Sequence, residues 1–195
     1  MGGRSEVRNC GRISVSPVGA QYRRERHFGF EHAWPRNRFL SWRFRYCKGE
    51  MVDRAVALNP NSFRAWEERG WAYITAGQPD EAIRSFERRI RLNPFDPLLF
   101  ATFAGMSVAF IGLGRFDEAV SAAKKAVRQN PLFPFTYRCL ASALAHLGRE
   151  AEAREAVAGL LELEPDFRIS EWVARGGVSR AQIYIDGLRK AGLPE

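Results

Sequence analysis

Apolar positions recur with a helical period between residues 63 and 167 and are interrupted at regular intervals. Ala82, Phe86 and Ile90 fall at i, i+4 and i+8, a stripe along one helix face. Trp66, Gly70 and Tyr73 fall four and three apart on one face of a preceding helix, where glycine admits a close neighbour. Gly77-Gln78-Pro79-Asp80 between them reads as a turn: Gly ends one helix, Pro sits near the next start, and Asp80 and Glu81 suit the positive end of its dipole. Pro60, Pro94, Pro131 and Pro165 then stop successive runs, since the residue before proline is pushed out of the α region. They are 34, 37 and 34 residues apart.

A unit of this length predicts stacked helical hairpins, here 63–96, 97–133 and 134–167. Residues 51–60 read as the second helix of a further unit, whose first helix should occupy about 32–46, a stretch without the pattern. In the region 168–195, Ser179 to Ala191 reads as a cap; Ser179 and Gln182 have capping-box spacing, and Ala181, Ile185 and Leu188 would cover the open end of the stack. The three additional residues of the second unit predict a first helix almost one turn longer. Asp80–Arg84 and Glu87–Arg91 are expected as solvent-side ion pairs worth about 0.3 kcal/mol each.

Trp66, Gly70, Tyr73, Gly77, Ala82, Phe86 and Pro94 resemble the tetratricopeptide repeat pattern. Tyr137, Leu140, Ala141, Leu144, Gly148, Ala153, Leu160 and Pro165 repeat it in the third unit, and Phe100, Phe103, Ala104, Phe116, Ala119, Ala126 and Pro131 match in the second. Arg89 departs from it, where the family prefers a small residue, and is expected to snorkel. The resemblance implies an all-α, right-handed solenoid of about three and a half repeats, with first helices lining a concave groove for a protein or peptide ligand. The matching positions are Arg64, Glu67, Trp71 and Thr75, then Leu98, Ala101 and Gly105, then Phe135, Arg138, Ser142 and His146. The family's clamp for C-terminal carboxylates uses paired Lys, Asn and Arg. Its positions here are Glu67 and Trp71, Ala101 and Gly105, Arg138 and Ser142, so that clamp pattern is absent. The phrases AVALNPNSFRAWEERGWAY, GQPDEAIRSFERRIRLNPFDP and GLRKAGLP also resemble the C-terminal repeat region of bacterial class III adenylate/guanylate cyclase proteins, which implies a regulatory segment or remnant. Residues 1–50 resemble no cyclase domain.

Charge divides the chain. Of a net +8, residues 1–50 carry +7, from eleven of the 30 Lys and Arg against four of the 22 Asp and Glu. The basic balance therefore describes the first 50 residues and implies no anionic ligand for the repeats. That basic segment reads as a disordered extension, or as sequence upstream of a natural start at Met51. The alternative is an arm that binds nucleic acid through interleaved arginines and aromatics, as in Tyr22-Arg23-Arg24-Glu25-Arg26-His27-Phe28 and Phe39-Leu40-Ser41-Trp42-Arg43-Phe44-Arg45-Tyr46. A short strand or helix is open near residues 39–46. The apolar face of residues 51–58 admits self-association. Three scattered cysteines, Cys10, Cys47 and Cys139, point to a reducing cytoplasm. No transmembrane segment, metal site, cofactor or catalytic constellation is expected. Glu81, Glu118 and Glu152 recur at helix starts, which favours dipole roles over acid–base work.

Overall fold

The protein is described from a computed structural model over residues 41–175 and 182–195, with the backbone alone described for 41–48. The basic segment before residue 41, and Ser179 and Ala181 of the expected capping box, lie outside the described residues.

Helices α1 (Ser41–Leu58), α2 (Phe63–Ala76), α3 (Pro79–Leu92), α4 (Leu99–Gly112), α5 (Phe116–Gln129), α6 (Pro134–His146) and α7 (Glu150–Leu163) stack as antiparallel hairpins. Two more follow, α8 (Ile169–Ala174) and α9 (Gln182–Lys190). Among the described residues there is no strand. The turn chemistry is as the sequence predicts. Gly77 adopts φ 73°; its N–H donates to Ile74 C=O and the next N–H donates to Tyr73 C=O. Gly148 repeats the turn at φ 70°. This left-handed residue satisfies carbonyls that the helix end would orphan, and a Cβ would strain it.

A second recurring latch fixes each hairpin to the preceding proline. Trp66 Nε1 donates to Pro60 C=O (2.8 Å) and Tyr137 Oη donates to Pro131 C=O (3.1 Å). Both aromatics stand six residues after their proline.

Helix α4 is the middle of the stack. It packs against α2, α3, α5, α6 and α9. Leu99, Thr102, Ala104, Gly105 and Ser107 through Ile111 are buried, which explains its unbroken apolar run. No helix among the described residues is long and apolar enough to cross a membrane. Phe86, fully buried, is wedged between α2 and α4 at two glycines. A Cβ on either Gly70 or Gly105 would stand within 2.6 Å of its ring.

Four expectations are corrected. Helix α4 has 14 residues, no more than α2, so the second unit's first helix is not a turn longer. Two of its three additional residues enlarge the connection 93–98, which has six residues where 59–62 and 130–133 have four. Arg89 does not snorkel: it is 2% exposed and meets two carboxylates. The pair Asp80–Arg84 does not form; Arg84 Nη1 lies 2.8 Å from Glu81 instead, while Arg91 and Glu87 stand 4.0 Å apart. The upstream helix is longer than residues 51–60, because α1 begins at Ser41.

Helix α1 is latched to the first complete hairpin. Arg69 Nε donates to Asp53 Oδ1 (2.7 Å), Tyr73 Oη donates to Asp53 Oδ2 (2.8 Å), and Arg69 Nη1 donates to Ser85 (2.6 Å). Burial, then the hydrogen bond to Asp53, pushes the Tyr73 phenol up.

Helix α9 docks elsewhere than expected. It packs on α6, α4 and α8 and does not touch α7. Ile185 and Leu188 are buried, but against the faces of first helices and not across the end of the stack. Ile169 N–H donates to Pro194 C=O (2.9 Å), so the C-terminal residues close back on the start of α8.

Candidate functional site

The concave face is built from α2, α4 and α6, and its two halves differ. In the first half, Trp71 is half-buried on α2. Its ring meets Phe86 edge-on (centroids 5.8 Å) and tilts against Phe135 of α6 (5.9 Å). It reaches over Gly105 of α4, where a Cβ would stand 3.2 Å from the indole. The aromatic row continues from Phe135 to Phe133 (6.0 Å) and Phe100 (5.0 Å beyond). Arg64 and Thr75 are exposed, and Leu98 is 53% exposed at the start of α4. Arg64, Trp71, Thr75, Leu98 and Phe135 therefore all keep surface that a ligand could meet.

Glu67 is used internally. Trp71 Nε1 donates to Oε1 (3.0 Å) and Thr102 Oγ1 donates to Oε2 (2.6 Å). Arg89 Nε lies 2.6 Å from Oε2, too far off the N–H axis for a directed hydrogen bond. Arg89 Nη2 donates to Asp96 Oδ2 (3.1 Å), while Nη1 has no hydrogen-bond partner among the described residues. Burial raises the Glu67 carboxyl above its ordinary value, opposed by Thr102, Arg89 and Trp71. Glu67 is thus a half-buried floor member whose two oxygens are already engaged.

In the second half the predicted contacts are covered. Arg138 is 2% exposed and Ser142 fully buried. Arg138 lies over the rings of Phe135 (5.4 Å), Phe167 (5.1 Å) and Trp172 (5.4 Å), with its Nη2 3.8 Å from Glu164. Ser142 Oγ donates to Tyr184 C=O of α9 (2.9 Å), and His146 Nε2 stands 2.7 Å from Ile183 C=O. The His146 ring stacks on Phe116 (4.5 Å, 10°). All three positions lie on α6, on the side where α9 packs. The sequence reading missed α8, Trp172 and Tyr184. The aromatic residues in ISEWVA and QIYIDG were the available signal.

Cys139 is buried beneath Tyr184, and desolvation pushes its thiol up to about 12, which removes it as a nucleophile at neutral pH. On another face, Asp53, Trp66, Arg69, Glu81, Arg84, Arg88 and Arg91 line a shallow cleft of about 460 Å³. Its two carboxylates are already paired with Arg69 and Arg84.

The tetratricopeptide repeat model matches residues 50–97 and 106–166. No curated protein matches the chain. Among solved structures, a crystal structure of MamA is 19% identical, with TM-score 0.57, and covers 73% of this chain and 84% of that one. The first TPR of Spaghetti (RPAP3), bound to the HSP90 peptide SRMEEVD, is 25% identical, with TM-score 0.51, and covers 66% of this chain and 89% of that one. With its stacked hairpins, and with the repeat matched over more than half of its length, the chain belongs to the tetratricopeptide repeat family.

Proposed function

We propose that the chain is a non-catalytic interaction module that holds an extended peptide or protein segment over the first half of its concave face. The observation that carries this reading is the Trp71–Phe135 aromatic floor, which spans three hairpins and keeps exposed surface beside Arg64, Thr75 and Leu98. Apolar anchors with a few charged neighbours suit such a ligand. A solved neighbour of this fold holds a peptide. The clamp residues for a terminal carboxylate are absent here, so the ligand is read as an internal, partly apolar segment. A displayed peptide library panned on the purified chain tests this. Binders should be lost on Trp71→Ala and Thr75→Arg while helical circular dichroism is kept; undiminished binding rejects the groove.

Three finer readings accompany it. A cytoplasmic module acting in trans as a cyclase-type regulatory segment rests on the three sequence phrases; unchanged turnover of a class III cyclase on adding the chain rejects it. An arginine-rich arm rests on residues 1–50; equal binding of random RNA and DNA by 1–195 and 51–195 rejects it. Self-association through α1 rests on Met51 and Leu58, 70% and 77% exposed; a concentration-independent monomer by light scattering rejects it.

A further inference from the structure

Helix α9 lies where a groove ligand would. Tyr184, Ile185 and Leu188 are buried in α9, followed by buried Leu193. The fit reaches its backbone: Ser142 and His146 of α6 meet the carbonyls of Tyr184 and Ile183, and a Cβ on Gly187 would stand 2.7 Å from Ser142 C=O. The Tyr184 ring packs 5.7 Å from Trp172, with its hydroxyl 3.6 Å from Cys139 Sγ. A cap would lie on α7, which α9 does not touch. An amphipathic helix with its apolar stripe in a receptor's groove is a known mode of helix recognition.

Two features make this occupant separable. A helix of nine residues is too short to persist alone in water, so its structure depends on the groove. Among the described residues no ion pair joins it to α4 or α6; Arg189 meets Asp186 and Glu195 of its own segment. The interface is apolar, with two neutral side-chain contacts to α9 carbonyls. Because it belongs to the same chain as α4 and α6, it has a high effective concentration at the site.

We propose that the α4–α6 half of the groove is a receptor site for an amphipathic helix, closed in cis by α9. The partner that opens it carries α9's pattern: an aromatic residue, an aliphatic one beside it, a glycine three positions on at the closest approach, and a leucine next. This rests on the groove reading above and adds a ligand class and a regulation to it.

The test uses the full chain, its Gly187→Leu variant, and a fluorescein-labelled peptide of residues 179–195. The peptide should bind the variant about 100-fold more tightly than the natural chain, whose own helix competes at high effective concentration. Alkylation of Cys139, located by mass spectrometry apart from Cys10 and Cys47, should be slow in the natural chain, fast in the variant, and slow again with peptide. A variant with exposed Cys139 and no affinity for the peptide overturns the proposal. If the variant unfolds or keeps α9 docked, hydrogen exchange of the natural chain decides. Helix α9 amides exchanging through a lower-energy opening than those of α4 and α6 support a releasable occupant; exchange in one unit with them overturns it. If library peptides bind in a Trp71-dependent way while the 179–195 peptide never binds, the groove reading stands and this proposal alone falls.

Discussion

The two halves of the concave face use equivalent repeat positions for opposite charges. Glu67 and Trp71 in the first unit correspond to Arg138 and Ser142 in the third. In the first half the acid comes from the first helix and the buried cation, Arg89, from the second, with Asp96 completing the charge balance. In the second half the first helix supplies the cation, and three aromatic faces and Glu164 surround it. The first arrangement leaves Trp71 partly open above an ionic floor. The second is closed from above by α8 and α9. One repeat pattern thus yields an open receptor surface or a sealed one, according to what the chain places over it.

The largest effect should come from breaking the ionic floor. Glu67→Ala leaves buried Arg89 with Asp96 alone, and removing one partner of a buried pair costs about 3–5 kcal/mol. Urea unfolding measures this, and Cys139 should stay protected because the other half is untouched. A loss under 1 kcal/mol would show that Arg89 is held mainly by Asp96. Trp172→Ala strikes only the sealed half. It removes one ring from Arg138 and one neighbour from Tyr184, for about 2–3 kcal/mol by unfolding, with faster Cys139 alkylation. Unchanged alkylation would separate the Arg138 stack from α9 docking. Asp53→Ala removes the acceptor shared by Arg69 and Tyr73, for about 1–2 kcal/mol, and should speed exchange of α1 amides while both groove halves keep their protection. Exchange rising equally in α6 would mean that the stack opens as one unit.

The smallest effect is with pH. The Glu67 carboxyl titrates above its ordinary 4.5 in the folded chain because burial disfavours its charge. As pH falls, the folded state takes up this proton before the unfolded state does. The charged form therefore costs stability at neutral pH, and that cost is relieved as pH falls through the folded value toward 4.5. The stability of the natural chain relative to Glu67→Gln should rise between pH 7 and pH 5 in urea midpoints. A falling difference would mean that Arg89 outweighs desolvation.

The hairpin stack was legible because its punctuation is local. Gly77 and Gly148 need only their own backbone to end a helix, and each Asn-Pro or Glu-Pro needs only its neighbours to stop one. Arg89 was misread because its two carboxylates are remote, Glu67 on another helix and Asp96 in the enlarged connection. Ile185 and Leu188 announced that α9 buries a stripe but not what receives it. The end of α7 and the groove of α6 both offer apolar surface. Gly187 held more information: a glycine within an amphipathic helix marks a close approach, and Ser142 supplies the backbone it approaches.

The Phe86 wedge has a mechanical consequence. Between α2 and α4 the array is keyed, because any sliding drives a rigid ring into glycine backbones. Between α4 and α6 the corresponding residue is the small Ala123, so α5 supplies no equivalent wedge there. That step, without a wedge from α5, is the one spanned by α9, which packs on both helices. The helix acts as a splint, so releasing it would change the bending stiffness of the array as well as the surface it presents.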